Sequence, residues 1–346
     1  MKKIIIGIDF AKEKFDVAVI VADGLEELAP VVCGQFENTK QGYRQLVSWV
    51  KKTTADKSTA EWLFCGEDTG ACHKGLATWL ESRGCFIWIV NAYHLHNSLG
   101  LNRNKNDKTD SIAIARFAKK EQLEAVAYKS LGKPLQQLRE MYLLRRKFVK
   151  MRAGLMARQQ DKKLSGSAKL CSEIELSTKR MIDNLTREIK TLEEKMRELV
   201  AADQSLMETF EIITSMKGLG LINAVALIVY TDNFTRFEGN ARKIACYYGV
   251  APFDHQSGKM NGNSHVSCLA NKDLKGILSN AATVSIQYCP EMAAYYERLI
   301  AKGKNKWLAK NNVKNKILQI IVAMVTKKKK YDPNVYAEHK GMKKSA

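Results

Sequence analysis

The first 120 residues alternate short β-type apolar runs with segments of helical spacing, and the order of these runs leaves few folds open. Residues 4–10 and 15–22 flank a tight polar turn and read as two strands, with residues 30–36 as a third. Residues 40–52 place Tyr43, Leu46, Val47 and Val50 at helical spacing. Then come a strand over 62–66, a helix over 73–82, a strand over 85–90 and a helix over 109–119. The order is βββαβαβα. A three-strand meander followed by strands separated by helices demands a mixed sheet with helices on its faces.

That order is the one found in ribonuclease-H-like domains. A chain of 346 residues is long enough for two or three domains, and the texture changes after residue 130. Pro134 is placed to open a helix, and the chain stays helix-forming to Lys163, where Ser165-Gly166-Ser167 interrupts it. Met181, Leu185, Ile189, Leu192, Met196 and Leu199 then follow at spacings of 4, 4, 3, 4 and 3, a heptad seam with charges between. Two long amphipathic helices around a polar turn read as a helical hairpin or coiled-coil arm, the alternative being an ordinary globular helix pair. Further on, Met216-Lys217-Gly218-Leu219-Gly220-Leu221 precedes an apolar run over 224–228. Helix, Gly-x-Gly turn and helix make a helix–hairpin–helix pattern, in which glycines with φ > 0 would turn backbone N–H groups of Lys217, Gly218 and Gly220 toward phosphate. The expected organisation is an α/β domain over 1–128, a helical arm over 129–204, a mainly helical domain over 205–330 and a basic tail over 331–346.

The charge balance points to a polyanionic partner. Lys and Arg number 56 against 36 Asp and Glu, a formal charge of +20, and such fields answer phosphate backbones more often than membrane surfaces. The excess is local: 13 lysines face only Asp332 and Glu338 from residue 302 onward, and residues 133–202 hold 17 basic and 9 acidic residues. Lys327 to Lys330 read as a flexible phosphate-seeking or solubilising run. No run reaches the ~18 apolar residues of a membrane span, and Asp9 cuts short the apolar stretch a secretory signal needs. The expected location is the cytoplasm, with no membrane partner. The 8 cysteines form no C-x-x-C pair, so neither a zinc ribbon nor a thioredoxin-type pair is indicated. His94-x-His96 lacks a third ligand nearby.

Four acids stand out by position. Asp9 ends the first strand on the face of Ile5 and Gly7. Glu67 ends the fourth, before Thr69-Gly70. Asp107 and Asp110 lie one turn apart at a helix start. Clustered carboxylates repel one another and are tolerated mainly when divalent cations neutralise them. Mg²⁺ takes such oxygen ligands, and a pair of ions ~4 Å apart suits phosphodiester transfer. Helix-dipole stabilisation of Asp107 and Asp110 is the simpler alternative.

Gly7-Ile8-Asp9-Phe10-Ala11-Lys12-Glu13, Glu67-Asp68-Thr69-Gly70 and Asp107-Lys108-Thr109-Asp110-Ser111 together resemble the DEDD transposases of the insertion-sequence one-ten family, whose N-terminal part is similar to RuvC-type resolvases. Tyr247-Tyr248-Gly249-Val250-Ala251-Pro252, followed by Gln256-Ser257-Gly258-Lys259, is similar to the family's C-terminal domain with its nucleophilic serine. Asp68, where small or apolar residues are commoner, and Asn271-Lys272-Asp273, in place of Lys-x-Gly-Asn, depart from the usual pattern. The resemblance implies Asp9, Glu67, Asp107 and Asp110 as catalytic metal ligands, two Mg²⁺ ions per site, and Ser257 as the nucleophile of a covalent phosphoserine step. It also implies donor and target double-stranded DNA, guidance by a structured bridge RNA, and a homo-oligomer of two to four protomers in which Ser257 works beside another chain's carboxylates. Arg103, Lys105, Lys108 and Lys259 are further candidate backbone contacts. A site-specific invertase, a junction-resolving nuclease using the four acids alone, and a non-catalytic nucleic-acid-binding protein are the alternatives.

Overall fold

A computed structural model of the chain describes residues 3–333 except 24–25, 55–57, 99–106, 165–170, 254–255, 258–259, 262–264 and 267–269. Side chains of 107–108, 159–164, 171–172, 256–257, 260–261 and 265 also lie outside the described set. The chain divides into two compact units between Ser130 and Leu131.

The first unit opens with β1 (Ile4–Phe10), β2 (Lys14–Asp23), β3 (Glu26–Glu27) and β4 (Val32–Glu37). After α1 (Lys40–Thr54) come β5 (Trp62–Glu67), α2 (Lys74–Glu81), β6 (Ile87–Val90), α3 (Ala92–Ser98) and α4 (Asp107–Lys120). The strands form one mixed sheet in the order β3-β2-β1-β5-β6, with β4 also on β2. The ten residues of β2 host β4 along Lys14–Val19 and β3 at Ala22 and Asp23. β1 runs antiparallel to β2 and parallel to β5, and β5 is parallel to β6. The mixed sheet and its helices match the expected α/β class. The sequence pattern omits α3, because Leu95 is its one buried residue and a single apolar position sets no period.

Alternation along β1 sorts the core into two layers. Ile4, Ile6, Ile8 and Phe10 pack with Tyr43, Leu46 and Val50 of α1 and with Leu76, Ala77 and Leu80 of α2. Ile5 points the other way and packs with Leu63 and Cys65 of β5 and with Ile114, Ala115, Phe117 and Ala118 of α4. Cys65 and Cys85 are buried free thiols, and burial pushes both thiol pKa values up. Thiols of that kind are packing groups and poor nucleophiles.

The second unit begins with the long helices α5 (Lys133–Leu164) and α6 (Cys171–Ala201), followed by α7 (Gln204–Thr214), α8 (Leu221–Tyr230) and α9 (Ala241–Tyr247). Four two-residue strands follow, β7 (Pro252–Phe253), β8 (Gln256–Ser257), β9 (Met260–Asn261) and β10 (His265–Val266), then α10 (Lys272–Tyr288), α11 (Pro290–Ala301) and α12 (Lys306–Thr326). Ala224 to Tyr230 of α8 are all buried, which explains why this helix is apolar all round. Side chains of Asp203, Asn240, Asn271 and Asn305 cap α7, α9, α10 and α12, each worth about 1 kcal/mol. Asp232, Asn233 and Phe234 are three successive left-handed residues after α8. The turn is held by Thr231, whose hydroxyl donates to the Leu227 carbonyl and accepts from the Phe234 N–H.

The heptad seam of α6 is used largely within the chain. Leu185, Ile189 and Met196 are buried, and α6 packs along α5, whereas Met181 is 51% exposed. Charged α5 residues meet α6 at the seam's edge, with the Arg145 guanidinium 2.7 Å from Glu193. The Gly-x-Gly turn also differs from the expected form. Gly218 has φ +95°, but Gly220 is extended at φ −96° and caps α8. A Cβ on Gly218 would sit 2.5 Å from Ser285 Oγ of α10, and the Lys217 carbonyl accepts from that hydroxyl. Gly218 is therefore needed for interior packing. The basic run before the C-terminus is likewise pinned: Lys328 and Lys330 pair with Glu208 and Glu211 of α7 at 3.1 and 2.9 Å. This corrects the flexible-tail expectation for those two lysines, whose charge already has a partner.

Candidate active site

The N-terminal carboxylates are set by strand register. β1 and β5 pair in parallel with Gly7 opposite Cys65 and Ile8 opposite Gly66. The next positions in that register are Asp9 and Glu67, one strand spacing apart and on the face that carries Ile5, Gly7, Leu63 and Cys65. Both lie at carboxyl ends of parallel strands, where open α/β sheets place their sites. Antiparallel pairing sets Asp9 opposite Asp16 of β2, and opposite residues share a face. Glu67, Asp9 and Asp16 thus form a row across three strands. Gln35 of β4, opposite Asp16, completes it by donating its amide N–H to both Asp16 oxygens at 3.0 and 3.1 Å.

Gly7 determines how closely α4 approaches this row. A Cβ at Gly7 would stand 2.3 Å from the Ser111 carbonyl oxygen and 2.4 Å from the Ala115 nitrogen. Only a residue without a side chain lets the helix backbone lie on the strand there. Ser111 follows Asp110 directly, so this contact fixes the first turn of α4, which carries Asp107 and Asp110, against the strand that carries Asp9. The Asp107 and Lys108 side chains lie outside the described set, and Arg103 and Lys105 lie outside it altogether.

Two histidines border the row. His96 of α3 has Nε2 3.9 Å from Glu67 Oε2, and His73 has Nδ1 3.6 Å from Asp68 Oδ1. The Asp68 carboxylate also accepts from the Gly70 N–H at 3.1 Å, so this acid shapes the turn that follows β5. Sequence periodicity points to neither Asp16 nor His96. Hairpin register could have found Asp16, because folding the chain about residues 11–14 sets position 16 against position 9; His96 depends on α3, which leaves no periodic signal.

All-oxygen carboxylate donors suit a hard divalent cation, and the chemistry of this set fits Mg²⁺. Among the described residues, no three His, Cys, Asp or Glu side chains gather as a complete ligand group; the set includes Asp107, whose side chain is not described.

The second unit carries the serine. Ser257 lies in β8, paired antiparallel with β9 so that Ser257 faces Met260; its side chain and residues Gly258 and Lys259 lie outside the described set. The surrounding loop is closed at its neck, where the Asn271 N–H donates to the Tyr247 carbonyl at 3.2 Å. Asn271 then caps α10 through Asp273 N and Leu274 N. Asp273 is held by Arg146 and, at 3.3 Å, by Lys150, both from α5. The unusual Asn-Lys-Asp sequence thus supplies a helix cap and an ion-pair anchor to the arm.

Comparison with known proteins places both units. A family model described as a DEDD transposase of IS110 type matches residues 6–163, and one described as transposase of the IS116/IS110/IS902 family matches residues 210–297. The pilin gene-inverting proteins of Moraxella lacunata and Moraxella bovis are each 27% identical over 341 residues, 97% of this chain and 100% of theirs. The insertion element IS110 43.6 kDa protein of Streptomyces coelicolor is 27% identical over 148 residues, 42% of this chain and 36% of that protein. Among the described residues no helix is long and apolar enough to cross a membrane. The two family models cover the carboxylate-bearing sheet and most of the helical unit in the same order, and the chain belongs to the IS110-type DEDD transposases, DNA transposase/recombinase enzymes.

Proposed function

We propose that the protein exchanges DNA strands at the ends of an insertion sequence, using a RuvC-like carboxylate site and Ser257. The observation that carries this reading is the convergence of Asp9 and Glu67 on one face of the sheet, with the start of α4 pressed against it through Gly7. Asp9, Glu67, Asp107 and Asp110 are the residues that would hold Mg²⁺. The bound ions would supply charge neutralisation at a phosphodiester. Ser257 supplies the nucleophile: its Oγ attacks phosphorus, a strand's hydroxyl leaves, and the protein carries the strand as a phosphoserine. Attack by a second strand's hydroxyl reverses the step, so the number of phosphodiester bonds is conserved. A structured guide RNA, pairing with donor and target DNA, is the further partner of this reading, in keeping with a net charge of +20. Exposed Ile174, Leu176 and Met181 on α6 support an assembly of two to four protomers through the arm.

Inversion of a DNA segment is a second reading, favoured by the full-length likeness to pilin gene-inverting proteins. It uses the same chemistry and differs in the arrangement of the ends. The test is a plasmid carrying the element's ends in direct or inverted orientation, together with its flanking non-coding DNA. Wild-type protein should leave DNA covalently bound at Ser257 and yield excision or inversion, and Ser257→Ala should yield neither. Junction cutting retained by Ser257→Ala would overturn the serine mechanism in favour of a resolving nuclease. Strand breakage unaffected by Asp9→Asn would overturn the carboxylate site.

A further inference from the structure

The neck of the serine-bearing loop is floored by lysines that no described carboxylate offsets. Lys314 of α12 is only 8% exposed. Burial pushes its ammonium pKa down, and the nearby charges of Lys275 on α10 and Lys310 on α12 push it the same way. Among the described residues, none of these three lysines belongs to an ion pair.

Their place in the fold is specific. Asn311 of α12 donates its amide N–H to the Val250 carbonyl at 2.9 Å. A Cβ on Gly249 would lie 3.9 Å from Lys275 Cδ. The lysines therefore lie beside Gly249 and Val250, where the chain enters the loop that carries Ser257, and Lys275 lies one turn beyond Asn271, where the chain leaves it. Trp307 adds an independent feature. It is 84% exposed, and positions 307, 310, 311 and 314 share one face of α12 by helical spacing. A large ring left in water beside a cluster of cations is the composition of a nucleic-acid strand site, where ammoniums take phosphates and the aromatic takes a base.

We propose that Lys275, Lys310, Lys314 and Trp307 form a cradle for an unpaired DNA strand at the neck of the serine loop. The proposal rests on the reading that this loop works on DNA. The lysines hold phosphodiesters as point charges, and Trp307 stacks on a base unstacked from the duplex. Bound phosphate also relieves the repulsion among the three ammoniums.

The test measures binding of full-length protein to fluorescent single-stranded DNA, and to RNA of the same sequence, across a range of salt. Lys275→Gln with Lys310→Gln should reduce the log–log salt slope for DNA by about 1.4, since each ammonium removed leaves one phosphate un-neutralised and a single strand contributes about 0.7 to the slope per phosphate. Lys302→Gln with Lys304→Gln, on the turn after α11, should leave it unchanged. Trp307→Ala should weaken DNA binding on the order of ten-fold, and Trp307→Phe should restore most of it. An unchanged slope in the Lys275/Lys310 variant, or a loss confined to RNA, would overturn the cradle. Covalent capture of DNA by the wild type is scored separately. Capture with an unchanged slope refutes the cradle alone, and a reduced slope without capture supports the cradle while refuting the serine mechanism.

Discussion

Replacing Gly7 by Ala tests whether the approach of α4 to β1 assembles the carboxylate site. The added Cβ would stand 2.3 Å from the Ser111 carbonyl oxygen and 2.4 Å from the Ala115 nitrogen. Ordinary contact begins near 3.4 Å, so the helix must retreat by about 1 Å, and both obstructing atoms are backbone and have no rotamer to yield. Overpacking of this kind costs about 1–3 kcal/mol. A displacement of about 1 Å between groups that act together costs about 10²-fold in rate, here through Asp107 and Asp110 moving relative to Asp9 and Glu67. The assay is strand cleavage beside DNA affinity and a thermal melt on one preparation. Expected are a lower melting temperature, cleavage reduced about 10²-fold and affinity within about two-fold of wild type, because the basic surfaces are untouched. Gly154→Ala on α5 is the control: its Cβ would meet nothing within 4 Å. Wild-type cleavage by a folded Gly7→Ala protein would refute the claim that this contact sets the site.

Asp9→Asn should abolish cleavage and leave DNA binding intact, measured by gel shift and nicking on the same substrate. Mixed assemblies of Asp9→Asn and Ser257→Ala chains should recover part of the activity if the two half-sites come from different protomers; verified mixed oligomers with none would place them in one chain. Asp232→Asn should stabilise the protein near neutral pH. Burial raises the Asp232 carboxyl pKa, against the pull of Arg236 and Arg139, so its ionisation disfavours the folded state as pH rises from the unfolded value through the folded one. Asn also tolerates its φ of 51°. Urea denaturation at pH 3 and pH 7 should show the gain only at the higher pH. Glu27→Gln has the opposite sign: Lys119 and Arg116 hold that carboxyl pKa low, so the wild type loses this stabilisation as pH falls through the folded pKa, and the variant should lack that acid-side loss.

The parts of the fold legible in the sequence were those written as period. Apolar runs over residues 4–10 and 15–22 give β1 and β2 to within a residue or two, and the helical spacing of Tyr43, Leu46 and Val50 gives α1. Asp9, Glu67, Asp107 and Asp110 are legible as candidates because strand ends and helix starts are themselves landmarks of the pattern. Asp16 required the hairpin register, one inference further than composition goes. The seam of α6 was legible as a seam but not as to what fills it, since a heptad has the same face whether its partner is α5 or another chain. Gly218 shows a related limit: its φ > 0 is as the sequence leads one to expect, but a glycine that yields to Ser285 and a glycine that yields to a phosphate look alike in sequence. Lys275, Lys310 and Lys314 are brought together by the packing of α10 on α12, and no local pattern announces it.

The ion pair of Arg146 with Asp273 gives the arm a mechanical meaning. α5 has 32 residues, about 48 Å of helix at 1.5 Å per residue, and about 27 Å of it projects beyond Arg146. A rigid rod clamped near its middle is a lever. A tilt of about 5° at the clamp carries the far end by about 2 Å, and a push of that size at the tip returns the same angle to α10, the helix into which the serine loop runs. A force on the far end of α5 would therefore reach the start of α10 through this pair at a mechanical advantage, a coarse movement at the end of the helix arriving as a fine one at its clamp.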